Sequence, residues 1–116
     1  LAGIALFLAV AALTWAAGTF GVASYYSGAL AGKATASGQL YARTGLTAAS
    51  YEYYGLFVKV TNMANGRFVH VYVNDRGPNR RLNRAIDLSE AAFAQIAGSA
   101  DIARGTMQVW IEETPK

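Results

Sequence analysis

RFVHVYVNDRGP, residues 67–78, is the stretch whose reading decides the fold. Val69, Val71 and Val73 alternate with Phe68, His70 and Tyr72, the period-two pattern of a strand with one face in a core. Just upstream, Asn65-Gly66 supplies the positive φ that a tight turn needs. Before that turn, Leu56 to Thr61 alternates in the same way. Residues 61–67 therefore read as the connection of a β-hairpin. Downstream, Asp75-Arg76-Gly77-Pro78 ends the strand, because proline has no N–H for a ladder.

Further out the elements are short. Gly21 to Tyr26 reads as a first strand, and Ser27 to Gly38 as a loop with at most one turn of regular structure. Leu46 to Ala49 is a short apolar run, Ala85 to Leu88 a brief strand, and Met107 to Glu113 a closing strand with Met, Val and Ile on one face. Ser89 is placed to cap a helix, with Glu90 at the positive end of its dipole. Ala91, Ala92, Phe93, Ile96 and Ala97 give that helix an apolar face, and Gly98 reads as its stop. Many short strands with one short helix predict a mainly β protein, a small closed barrel that leaves no sheet edge exposed.

The chain of 116 residues has room for one domain, expected over residues 21–114. Ahead of it, Leu1 to Phe20 holds no charged residue, and the first charge is Lys33. Thr14 and Ala16, or Ala16 and Gly18, have the spacing of a signal-peptidase site, so residues 1–20 read as an export signal. The alternative is a retained membrane anchor, since about 20 apolar residues can cross a bilayer. Either reading places the domain outside the cytoplasm, in the periplasm or cell envelope. There is no cysteine, which excludes disulfides and thiolate chemistry. The net charge of +3 lacks the dense basic stripe of a nucleic-acid binder. Arg80, Arg81 and Arg84 form the tight basic cluster and read as a solvated loop. His70 is the single histidine and falls on the outward face of its strand, so no metal site or cofactor is expected.

Several segments together resemble the rare lipoprotein A (RlpA) family. They are Gly21-Val22-Ala23-Ser24-Tyr25-Tyr26, Lys33-Ala34-Thr35-Ala36-Ser37-Gly38, Leu46-Thr47-Ala48-Ala49, Val58-Lys59-Val60-Thr61-Asn62 with Asn65-Gly66-Arg67, Val73-Asn74-Asp75-Arg76-Gly77-Pro78, and Ile86-Asp87-Leu88-Ser89. They occur in the family's order and cover nearly the whole chain after the leader. The resemblance implies a six-stranded double-psi β-barrel, the fold also seen in expansins and barwin-like proteins. It further implies work on peptidoglycan. Active members of the family are lytic transglycosylases, in which one carboxyl group protonates the glycosidic oxygen and the muramic 6-hydroxyl closes a 1,6-anhydro ring.

The residues that this chemistry uses are replaced here. The family's acid, aspartate and histidine fall at Gln39, Ala42 and Ser50. A glutamine amide can hydrogen-bond a sugar but cannot shuttle a proton. The resemblance therefore implies a glycan-binding groove lined by Gln39, Ser50, Tyr51, Tyr53, Tyr54, Asn74, Asp75 and Arg76. If cleavage survives, Asp75 or Glu52 is the candidate acid. Asp87 is expected to tie loop amides together, and Glu52 to be a surface carboxylate. Tyr25, Tyr26 and Tyr41 are read as packing residues before sugar contacts. The expected partner is the peptidoglycan glycan strand, bound by a monomer, with a possible membrane tether through residues 1–20. A third reading has the groove bind a peptide.

Overall fold

The computed structural model describes residues 17–115, so the leader falls almost wholly outside the described residues. Six strands close into a barrel: β1 (Thr19–Tyr25), β2 (Thr47–Ala49), β3 (Phe57–Asn62), β4 (Phe68–Asp75), β5 (Ile86–Leu88) and β6 (Met107–Glu113). Around the barrel the order is β1-β5-β2-β4-β3-β6. Two pairings are parallel, β1 with β5 and β2 with β4. Parallel neighbours cannot be joined by a tight hairpin. Long connections therefore run over the outside, and two of them frame the site.

The alternation in residues 67–78 is reproduced in space. Val69, Val71 and Val73 are 4% exposed or less, with Val58, Val60, Ile86, Leu88, Val109 and Ile111 around them. Gly66 has φ of 77°, as the Asn65-Gly66 turn requires. β1 begins two residues earlier than expected, because Thr19 and Phe20 pair with Ile111 and Trp110 of β6.

Ser89 caps helix α1 (Glu90–Ile96), its hydroxyl accepting the Ala92 N–H at 3.2 Å. Phe93 and Ile96 seat α1 on the barrel core. Gly98, expected to end the helical region, instead begins helix α2 (Ser99–Arg104). The Asp101 carboxylate turns back to accept the Gly98 N–H at 2.9 Å and the Asn62 side-chain amide at 2.9 Å. Gly105, at φ of 75°, closes α2. The single-helix expectation therefore becomes two, because a buried polar hub replaces the apolar stripe that betrays a helix in sequence.

Candidate functional site

Register builds the site. Ser24 pairs with Asp87, Asp87 with Ala49, and Ala49 with Asp75, so one row crosses β1, β5, β2 and β4. A register shift between Ala48 and Ala49 sets Asp75, rather than Asn74, opposite Ala49. The shift brings both carboxylates to one open cleft of about 510 Å³. Tyr26, Leu30, Ala49, Tyr51, Asp75, Arg76, Gly77, Pro78, Asn79 and Asp87 line it.

The two aspartates sit in different surroundings. Asp75 accepts the Tyr26 hydroxyl at 2.7 Å on one oxygen. Its other oxygen accepts the Ala36 and Arg76 amide N–H groups, each at 2.9 Å. With both oxygens engaged, Asp75 ties β4 to the 33–40 loop. Burial holds the Tyr26 phenol well above its usual range, reinforced by the hydrogen bond to Asp75, so Tyr26 remains a donor. Asp87 accepts the Ser24 hydroxyl at 3.0 Å, the one hydrogen bond to its carboxyl among the described residues. Burial pushes Asp87 up from 3.8 to about 6 against the opposing pull of Ser24 and Arg84, and the nearby Asp75 charge adds to the rise. A carboxyl group that can be protonated near neutrality thus stands in the cleft beside one whose two oxygens are already engaged by Tyr26, Ala36 and Arg76.

The other expected residues divide between the cleft and its supports. Gln39 is exposed, and its side-chain oxygen accepts the Asn74 amide at 3.1 Å. Asn74 is buried and its carbonyl accepts the Ser37 N–H, so the pair anchors the loop next to Asp75. Ala42 is exposed nearby. Ser50 is fully buried, donating its N–H to the Asp75 carbonyl and accepting the Tyr53 N–H. It is not part of the cleft lining and instead holds the Asp75 backbone and the start of the following turn. Tyr51 is 47% exposed and lines the cleft. The Arg76 guanidinium lies 4.4 Å from the centre of the Tyr54 ring, which places a cation–π pair at the rim.

Tyr53 points elsewhere: its hydroxyl meets Thr19 at 2.6 Å, and its ring packs against the core. Glu52 lies on that same side, 3.5 Å from the Thr19 hydroxyl, and is exposed. Neither joins the cleft. His70 is exposed on the outside of β4, edge-on to Phe68. Tyr26 and Tyr41 are buried against each other, ring centres 4.4 Å apart, and Tyr25 stacks on Phe93. Among the described residues no group of His, Asp or Glu has the arrangement of a metal site. A second depression, of about 450 Å³ beside Asp101 and Arg104, has its carboxylate already engaged by Asn62, Gly98 and Arg104.

Sequence reading missed Asp87 as a cleft residue. The signal was present, since Ile86 and Leu88 point inward and alternation sends Asp87 outward. Its partner Ser24 carried no such mark, because the pairing of β1 with β5 joins residues 63 positions apart.

Comparison with known proteins agrees with this architecture. A family model described as lytic transglycolase matches residues 19–111. The endolytic peptidoglycan transglycosylase RlpA of Campylobacter jejuni is 45% identical over 93 residues, covering 79% of this chain and 32% of that protein. Its Pseudomonas aeruginosa namesake is also 45% identical over 93 residues, covering 79% of this chain and 26% of its own length. The chain thus spans about a third or less of these relatives. Among solved structures, a Clavibacter michiganensis expansin variant in complex with cellohexaose superposes with a TM-score of 0.62 at 22% identity, over 84% of this chain and 50% of that one. A Streptomyces papain inhibitor superposes with a TM-score of 0.61 at 25% identity, over 84% and 96%. With its barrel topology and the match across residues 19–111, the chain belongs to the lytic transglycolase family of RlpA-like double-psi β-barrels.

Proposed function

We infer that the domain is exported and binds peptidoglycan glycan strands along the cleft between Tyr51, Asp75, Arg76 and Asp87. The observation that carries this reading is the open cleft into which register brings the Asp75 and Asp87 carboxyl groups, with Tyr51 exposed beside them. Carboxylates and amides hydrogen-bond sugar hydroxyls, and a tyrosine face packs on their C–H groups. Gln39 stands where the resemblance places the acid, so the reading is retention of the strand without ordinary cleavage. The test is a pull-down on insoluble peptidoglycan with mass spectrometry of the supernatant. Sedimentation with the polymer and no release of 1,6-anhydro muropeptides is the expected result. A domain that stays in the supernatant overturns it.

A second reading is favoured by Asp87. Its pKa of about 6 leaves a fraction protonated near neutral pH, as a proton donor to a leaving glycosidic oxygen requires. In that case wild-type protein releases anhydro ends, Asp87→Asn abolishes them, and Glu52→Gln leaves them unchanged.

A further inference from the structure

We propose that the outer surface of β1, β6, β3 and β4 rests on a lipid bilayer and turns the cleft away from it. Four residues lie in register across these strands: Phe20 opposite Trp110, Trp110 opposite Thr61, and Thr61 opposite Phe68. At the usual strand spacing the row is about 14 Å long. Phe20 is 68% exposed, Phe68 52%, and Met63, which shares a depression with Phe20, 49%. Aromatic rings of this kind favour the interface between hydrocarbon and water.

The path of the chain selects the bilayer as occupant. A Cβ on Gly18 would come within 2.4 Å of the Trp110 indole, so the backbone passes directly over that ring. The chain therefore leaves the barrel at the aromatic row. Only Ala17 and Gly18 separate Thr19 from residues 1–16, which carry no charge. Two extended residues reach about 7 Å. With residues 1–16 retained in hydrocarbon, the row is brought to the membrane surface. A glycan fits this face poorly. The Lys59 ammonium covers Phe68 at 4.4 Å, and the Phe20 and Trp110 rings are tilted by 57°. They offer no flat platform for successive sugars. Lys59 and Glu112 face each other in register, so the adjoining row is nearly neutral and attachment is by apolar insertion.

The order of strands sets the orientation. The cleft row lies on β1, β5, β2 and β4, and the aromatic row on β4, β3, β6 and β1. The two rows occupy opposite walls of the barrel. The inference rests on retention of residues 1–16 and is independent of what the cleft holds.

The two tryptophans, Trp15 and Trp110, make the test direct. The full chain with Trp15→Phe is mixed with phosphatidylethanolamine–phosphatidylglycerol vesicles whose acyl chains are brominated near the headgroup. The expected result is a blue shift and quenching of Trp110 emission that persists in high salt. Phe20→Ser with Phe68→Ser, both at exposed positions, should remove most of this quenching. In the Trp110→Phe protein the same pair should leave Trp15 quenched. Quenching of Trp15 with Trp110 unchanged overturns the proposal, as does quenching of neither. A Trp110 response to soluble glycan fragments but not to vesicles overturns it as well.

Discussion

Replacing Asp87 by asparagine should stabilise the domain at neutral pH and leave it nearly unchanged in acid. The carboxyl has an ordinary value of 3.8 and is pushed up to about 6 in the fold, chiefly by burial. The folded state therefore holds the proton more tightly than the unfolded chain. The group is least unfavourable below about pH 4, and its penalty grows as pH rises through 6. The full shift corresponds to about 3 kcal/mol, reduced to about 1–2 kcal/mol for partial solvent access. Asparagine keeps an oxygen to accept the Ser24 hydroxyl and carries no charge to desolvate. Urea denaturation of both proteins at pH 3.5 and pH 7, compared at each pH, cancels the contributions of the other carboxylates. Asp101 is the main one to cancel: the Gly98 N–H and Asn62 amide hold it below its usual range, so its contribution is present at neutral pH and fades in acid. At pH 7 the gain should appear as a rise in Tm of about 5 °C or more. A variant equally destabilised at both pH values would refute the reasoning and make Asp87 a structural tie.

Tyr51→Ala should weaken sedimentation with peptidoglycan about threefold to tenfold, the worth of one aromatic contact, with little change in Tm. Asn62→Ala should lower stability by about 3–4 kcal/mol, read by chemical denaturation. That side chain is fully buried, donates to the Ile96 carbonyl and to Asp101, and accepts from Ala64, so its loss strips the Ala64 N–H of its partner and leaves the Ile96 carbonyl and the Asp101 carboxylate to Asn65, Gly98 and Arg104 beside a cavity.

The barrel was legible because its strands alternate cleanly. Val69, Val71 and Val73 carry their orientation in the sequence, as do Met107, Val109 and Ile111. α2 was not legible, because its stability comes from Asp101 and Asn62, polar residues whose meeting depends on the tertiary fold. The cleft was legible in part. Asp75 and Arg76 stand out at a strand end, and Tyr51 lies beside them in space. Tyr51, Tyr53 and Tyr54 look alike in sequence, yet Tyr53 turns to Thr19 while Tyr51 lines the cleft and Tyr54 takes Arg76. Local pattern does not separate them, since the turn is set by the buried Ser50 hydroxyl. The environment of Asp87 was hidden for a similar reason, because burial from distant strands raises its pKa.

The parallel pairings have a consequence for when the protein can act. Ser24, Ala49, Asp75 and Asp87 come from segments spread over more than half of the chain, and they meet only once β5 is inserted between β1 and β2. No hairpin or terminal fragment carries the assembled cleft. An unfolded chain therefore presents no cleft at all, and the cleft arrives together with ring closure of the last ladder.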